Sequence, residues 1–239
     1  MSKAIFHNPF HRQVQEILGA LDKKFLAEAC CHFGGGTRIV LELGEYRESR
    51  DIDFLCASQA GYRMLREAVT EHSLGSIAAK PLKLSREVRV DQYGIRTFID
   101  SPSGAKVKFE IIREGRIPLG TSPGPPLPGV AVPSLSHIDA FAEKFLANAD
   151  RGLDVATHSR DMVDLAFMLQ GWDHNEAAAG LQIAQAAYGK TIDKSLKAVA
   201  TKMKGDMVYR KKCFGTLQVT DAKRCMMGID LLASEKWRR

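Results

Sequence analysis

The sequence predicts an α+β protein: a small mixed β-sheet with helices in the first half, then an all-α bundle. Three observations predict it. Strand-like runs at 51–56, 88–93, 95–100 and 106–112 are confined to the first half. Six of the nine prolines fall within 113–133, where little regular structure fits. Beyond that segment the strand signals fade and helical periodicity dominates.

The elements follow in order. Phe10, Val14, Ile17, Leu18, Leu21, Phe25, Leu26 and Ala29 have the spacing of one helix over 10–29 with a single buried face. An apolar stretch over 30–33 is broken by Gly34-Gly35-Gly36, and a short helix over 37–43 is closed by Gly44. A strand at 51–56 precedes a helix at 61–72. The next three strands are joined by Gly94 and by Ser101-Pro102-Ser103-Gly104, which are turn signals. Helices are expected at 136–149, 157–171, 174–188, 191–204 and near 220–234. The resulting division is a sheet domain over 1–115, a Pro-rich connection over 116–133, and a helical domain over 134–239.

With 239 residues, 45% of them hydrophobic and 26% charged, the chain can bury a core without staples. Disordered, collagenous and coiled-coil classes are excluded as overall descriptions. The net charge of +6 is unevenly placed: residues 190–239 hold 13 Lys and Arg against 5 Asp and Glu, a net of +8. That asymmetry points to a polyanionic partner, although for any single lysine a solvated helix face is the plainer reading. Five cysteines with no CxxC pair point to a reducing compartment. No leader pattern and no run of about 18 apolar residues is present. The expectation is a soluble cytoplasmic protein with no membrane partner.

Three features of the first half carry chemistry. Gly34-Gly35-Gly36-Thr37 sits at a strand-to-helix junction, where backbone N–H groups can approach an anion and the Thr37 hydroxyl adds a donor. A tight turn needing positive φ is the alternative. Asp51-Ile52-Asp53 places two carboxylates on one face of a strand. Mg²⁺ takes one or two carboxylates plus substrate phosphates. A solvated strand end paired with Arg47 and Arg50 is the alternative. Glu110 lies on the strand face opposite Phe109. It is either an ordinary outward glutamate or the third acid of a two-metal site.

Taken together, Gly35-Gly36-Thr37-Arg38 followed by Arg47-Glu48-Ser49-Arg50-Asp51-Ile52-Asp53-Phe54 resembles the AbiEii/AbiGii toxin family of nucleotidyltransferases, within the polymerase β-type superfamily. Lys144 and then Arg160-Asp161-Met162-Val163-Asp164-Leu165 look like that family's helical motif. Arg38 stands where the family usually has a small residue, and the third acid is Glu where related enzymes commonly have Asp.

The resemblance implies a nucleotidyltransferase-type sheet. It also implies Mg²⁺ or Mn²⁺ held by Asp51, Asp53 and Glu110, and a nucleoside triphosphate substrate held by Gly35, Gly36, Thr37, Arg38, Ser49, Arg160 and Asp164. Lys144 would neutralise the triphosphate and Asp161 would orient it. Asp161 and Asp164 share one helix face, so interhelical ion pairs with Lys144 are an alternative reading. The implied role is the toxin of a type IV toxin–antitoxin or phage-defence pair. It would transfer NMP to an RNA hydroxyl such as a tRNA 3′ end, with RNA on the basic C-terminal region and a cognate antitoxin as partner. Other acceptors, an antibiotic or a protein hydroxyl, and a degenerate nucleic-acid-binding relative are the alternatives.

Overall fold

The computed structural model describes residues 6–101 and 103–238. The leader-free reading of the first five residues, and Pro102 in the expected turn, lie outside the described residues. The chain forms two compact units, Met1–Glu45 with Ser49–Ser136, and Tyr46–Glu48 with His137–Arg239.

The first unit is built on a five-stranded sheet in the order β1-β2-β5-β4-β3. The strands are β1 (Cys31–Gly34), β2 (Ile52–Cys56), β3 (Leu84–Val90), β4 (Gly94–Asp100) and β5 (Lys106–Arg113). The β2–β5 pairing is parallel and the others are antiparallel. Burial alternates along β5, where Val107, Phe109 and Ile111 are buried. This is the period-two pattern of a sheet with one face on a core. Phe33, Phe54 and Phe109 form a tilted aromatic row on that face, with centroids 5.7 and 5.8 Å apart.

Helices α1 (Pro9–Leu18), α2 (Lys23–Glu28), α3 (Gly35–Glu42) and α4 (Gln59–Ala68) complete this unit. The single helix expected over 10–29 is therefore two. Gly19 caps α1, and the Asp22 carboxylate accepts from the N–H groups of Lys24 and Phe25 to start α2. Leu21, between them, forms a bridge with Ala78. An N-cap aspartate can outweigh continuous apolar spacing because it satisfies helix donors that are otherwise orphaned.

The Pro-rich segment is part of this unit. Leu127, Val130 and Val132 enter its core. The Phe33 N–H donates to the Pro133 carbonyl at 2.8 Å, and the Leu135 N–H donates to the Phe33 carbonyl at 2.9 Å.

The second unit contains α5 (His137–Arg151), α6 (Arg160–Gly171), α7 (His174–Tyr188), α8 (Thr191–Gly205), α9 (Met207–Leu217) and α10 (Ala222–Ser234). Phe141, Phe145, Phe167, Val199, Met203 and Ile229 are among its buried residues. Segment 46–48 joins it: the Glu48 N–H donates to the Leu217 carbonyl, and the Thr220 N–H to the Tyr46 carbonyl. Helix α9 was not expected, because Cys213 is its one buried residue and no apolar stripe marks it. Among the described residues, no helix is long and apolar enough to cross a membrane.

Candidate active site

The glycine run is the junction between β1 and α3. Gly35 has φ of +68°, a conformation that side chains other than glycine rarely adopt. A Cβ there would also drive into the Asp53 carboxylate. The turn backbone therefore lies directly against the acid, in a cradle that any side chain would fill.

Thr37 has a different role from the expected phosphate donor. It is fully buried, and its hydroxyl donates to the Asp51 carbonyl at 2.5 Å. A hydroxyl has one hydrogen, so the Ser49 hydroxyl, 2.7 Å away, donates to Thr37. Thr37 and Ser49 thus fix the entry to β2. Arg38, placed among the nucleotide ligands by the resemblance, is fully buried and pairs with Glu42 at 2.9 Å.

His11 belongs to the same support. Its ring is buried, with Nδ1 2.7 Å from the Glu45 carboxylate. Its Nε2 accepts from the Ser49 N–H at 3.3 Å, which makes Nδ1 the protonated nitrogen and a donor to Glu45. Burial pushes the Glu45 carboxyl up, but hydrogen bonds from the His7 and Asn8 N–H groups and from His11 outweigh it and hold the carboxyl low. The sequence signal for His11 is its place on the buried stripe of α1, with Val14 and Leu18.

The acids occupy one row of the sheet. Gly34, Asp53, Glu110 and Arg96 are consecutive register partners across β1, β2, β5 and β4. Neighbouring strands stand about 4.8 Å apart, so Asp53 and Glu110 project side by side from the face opposite Phe54 and Phe109. Asp51 immediately precedes β2. It is half-buried, like Asp53, while Ile52 between them is fully buried.

Glu110 is drawn toward the cations of its row: Arg96 lies 3.2 Å from one carboxylate oxygen, and Lys108 bonds the other. Arg47, one of the alternative partners for the DxD acids, pairs with Asp164 instead. Arg50 stacks its guanidinium 3.8 Å over Phe10.

Among the described residues, no three His, Cys, Asp or Glu side chains converge to hold a metal by themselves. The expected set of three carboxylates is therefore not assembled around one point. The residues do fit an ion of the Mg²⁺ type, which takes one or two carboxylates and completes its shell with substrate phosphates. Asp53, Glu110 and the adjoining Asp51 are hard oxygen donors, and the Gly35 cradle leaves backbone beside them.

The helical unit contains the other motif. Lys144 on α5 is buried, with Nζ 2.8 Å from Asp161 and 2.7 Å from Asp164 on α6. Arg151 donates to Asp161 at 2.7 and 3.1 Å. Tyr46 donates its hydroxyl to Asp164 at 2.6 Å and stacks on Phe167.

Burial raises the Asp161 carboxyl, but the Lys144 charge and the Arg151 hydrogen bond and charge hold it well below the usual carboxylate range. Asp164 is likewise lowered: the charges of Arg47 and Lys144 overcome complete burial. The interhelical ion pairs of the alternative reading are thus present. Arg160 is half-buried in the first turn of α6.

In the basic tail, Lys202 sits 4.0 Å over the Tyr209 ring, Lys204 pairs with Asp230, and Lys211 and Lys212 are exposed.

Two solved structures share this fold. One is a candidate nucleotidyltransferase from H. pylori, with TM-score 0.54, 16% identity, and coverage of 94% of each chain. The other is JHP933 from Helicobacter pylori, with TM-score 0.54, 15% identity, and coverage of 96% of this chain and 94% of that one. At such identity the likeness establishes the architecture alone. No curated protein matches the chain. Residues 16–218 match the family described as nucleotidyl transferase AbiEii toxin, type IV TA system. That span includes the glycine turn, the DxD strand, Glu110 and the helical motif, and the chain accordingly belongs to the AbiEii family of nucleotidyltransferases.

Proposed function

We propose that this nucleotidyltransferase is a Mg²⁺-dependent enzyme that transfers NMP from a nucleoside triphosphate to an RNA hydroxyl, such as a tRNA 3′ end. The observation that carries the reading is the pairing of Asp53 with Glu110 beside the Gly35 cradle.

Asp51, Asp53 and Glu110 would hold the divalent ion. When bound, such an ion polarises phosphoryl oxygens and favours deprotonation of an attacking hydroxyl. The backbone of Gly35 and Gly36 would receive the β- and γ-phosphates at the N-terminus of α3. Thr37, Ser49 and His11 keep β2 entering at a fixed angle, so that Asp53 meets the turn in one geometry. The acceptor oxygen attacks the α-phosphorus, the bond to the bridging oxygen of the β-phosphate breaks, and pyrophosphate leaves.

Lys144 and Asp161 are the pair that the family resemblance assigns to the triphosphate, with Arg160 and Asp164 beside them in sequence. The basic C-terminal region, Lys211 and Lys212 included, supplies charge for an RNA backbone. The family description supports a toxin role with a cognate antitoxin as partner.

The test is incubation of the purified protein with Mg²⁺ and each α-labelled nucleoside triphosphate, in the presence of total tRNA. Label on tRNA is expected, and it is lost with EDTA. Label on the protein or a small molecule alone would move the acceptor to another class. Absence of any transfer would overturn the reading.

A further inference from the structure

The first unit carries a second cationic feature at the other end of its sheet. Cys56 and Arg113 are register partners at the ends of β2 and β5, three positions beyond Asp53 and Glu110. That separation is about 10 Å along the strands, at about 3.3 Å per residue. The alternation of side chains also puts Arg113 on the sheet face opposite Glu110.

A cavity of about 470 Å³ opens there, lined by Gln59, Tyr62, Arg63, Arg66, Gln92 and Arg113. Its lining includes three guanidinium groups and two amides but no carboxylate. Arg63 and Arg66 lie one turn apart on α4. The Arg63 contact with Glu67 is 3.8 Å long between two exposed side chains, an arrangement of little energetic weight.

Among the described residues, neither Arg66 nor Arg113 has an ion-pair partner. Asp91, next to Gln92, is committed elsewhere: it accepts from the N–H groups of Tyr93 and Gly94 and from Arg96. Tyr62 is fixed by donating its hydroxyl to the Asp91 carbonyl at 2.7 Å.

Unpaired guanidinium forks in an open pocket suit phosphate oxygens, which they can bind in a bidentate fashion. We propose that the α4–β5 pocket anchors a backbone phosphate of the acceptor nucleic acid, apart from the nucleotide site. The proposal rests on the RNA-acceptor reading above. Distance and the opposite sheet face separate the pocket from Asp53 and Glu110. A mononucleotide therefore fills one site, while a tRNA-sized polyanion can reach both.

The experiment is filter binding of end-labelled tRNA, without nucleotide, over a salt series. The proteins are the full-length chain, the Arg66→Ala/Arg113→Ala variant and the Lys211→Ala/Lys212→Ala variant. Mg–nucleotide affinity is measured by calorimetry on the same preparations.

The pocket variant should bind tRNA about ten-fold more weakly, with the slope of log K against log salt flatter by about 1.4, or about 0.7 per phosphate released. Its nucleotide affinity should be unchanged. Unchanged tRNA affinity and slope, with the native chain binding normally, would overturn the pocket and leave the RNA reading intact. Loss of nucleotide affinity in the pocket variant would place the pocket in the nucleotide site and overturn the proposal as stated. A native chain that binds no RNA would overturn both.

Discussion

Arg47 grips Asp164 through two parallel hydrogen bonds, Nε to Oδ1 at 2.7 Å and Nη2 to Oδ2 at 2.9 Å, with both side chains buried. Lys144 bonds the same carboxylate, and Tyr46 caps it. The motif Arg47-Glu48-Ser49-Arg50-Asp51-Ile52-Asp53 is therefore not one functional group. Arg47 is locked into the helical unit, Ser49 is spent on Thr37, and the acids that follow are half-buried.

Asp164→Ala should destabilise the protein by about 3–5 kcal/mol, because it strands the buried charges of Arg47 and Lys144. Arg160→Ala, in the same motif and only half-buried, should stay within about 0.5 kcal/mol. Urea unfolding of both variants checks this. Equal stabilities would assign Asp164 no structural role.

Acid should unfold the protein through the same cluster. The Asp161 and Asp164 carboxyls are depressed in the folded state from an ordinary value near 3.8, so the unfolded chain takes up protons first as the pH falls. Their stabilisation is complete above about pH 5 and is lost progressively below about pH 4. Glu45 is lowered in the same direction and adds to the loss. Urea midpoints at neutral, mildly acid and strongly acid pH measure the trend; midpoints flat down to about pH 2 would contradict it.

Gly35→Ala should cost about 1–3 kcal/mol in backbone strain at a positive φ, and it should also displace the Asp53 carboxylate. Nucleotide affinity and transfer should fall at least about ten-fold, which is about 1.4 kcal/mol or more. Gly44→Ala has the same sign of φ but open space around it, and it should reproduce the strain without the loss of binding. Calorimetry with Mg–nucleotide separates the two. Equal binding by both variants would remove the cradle from the site.

The cysteines should be nearly silent toward a thiol reagent in the native protein. Cys31, Cys56, Cys213 and Cys225 are buried, and Cys30 is half-buried. Burial pushes the thiol of Cys56 up to about 11 and that of Cys225 to about 12, leaving almost no thiolate at neutral pH. Titration should find about one reactive thiol before denaturation and five after it. Rapid reaction of all five in the native state would contradict the burial.

The strand-rich first half and the helical second half were legible because period-two and period-3.6 patterns survive in a single sequence. The break between α1 and α2 was not, because Asp22 acts through a cap rather than through hydrophobicity. Helix α9 was hidden by its lack of a buried stripe. At the site, Gly35, Asp53 and Glu110 were readable from type and spacing. Thr37 was assigned to a phosphate, yet its hydroxyl holds the Asp51 carbonyl, because a sequence does not show where a hydroxyl's single hydrogen goes. The pairing of Arg47 with Asp164 spans 117 positions and was equally invisible.

The central claim is that Asp53, seated against Gly35 and paired in register with Glu110, carries the transfer. The direct measurement is the single-turnover rate of NMP transfer by Asp53→Asn, with thermal unfolding of the same preparation as control. The account predicts a loss of about 10³-fold or more, about 4 kcal/mol of transition-state stabilisation, with an unchanged melting temperature. A rate within about three-fold of the native protein, less than about 0.7 kcal/mol, would contradict it.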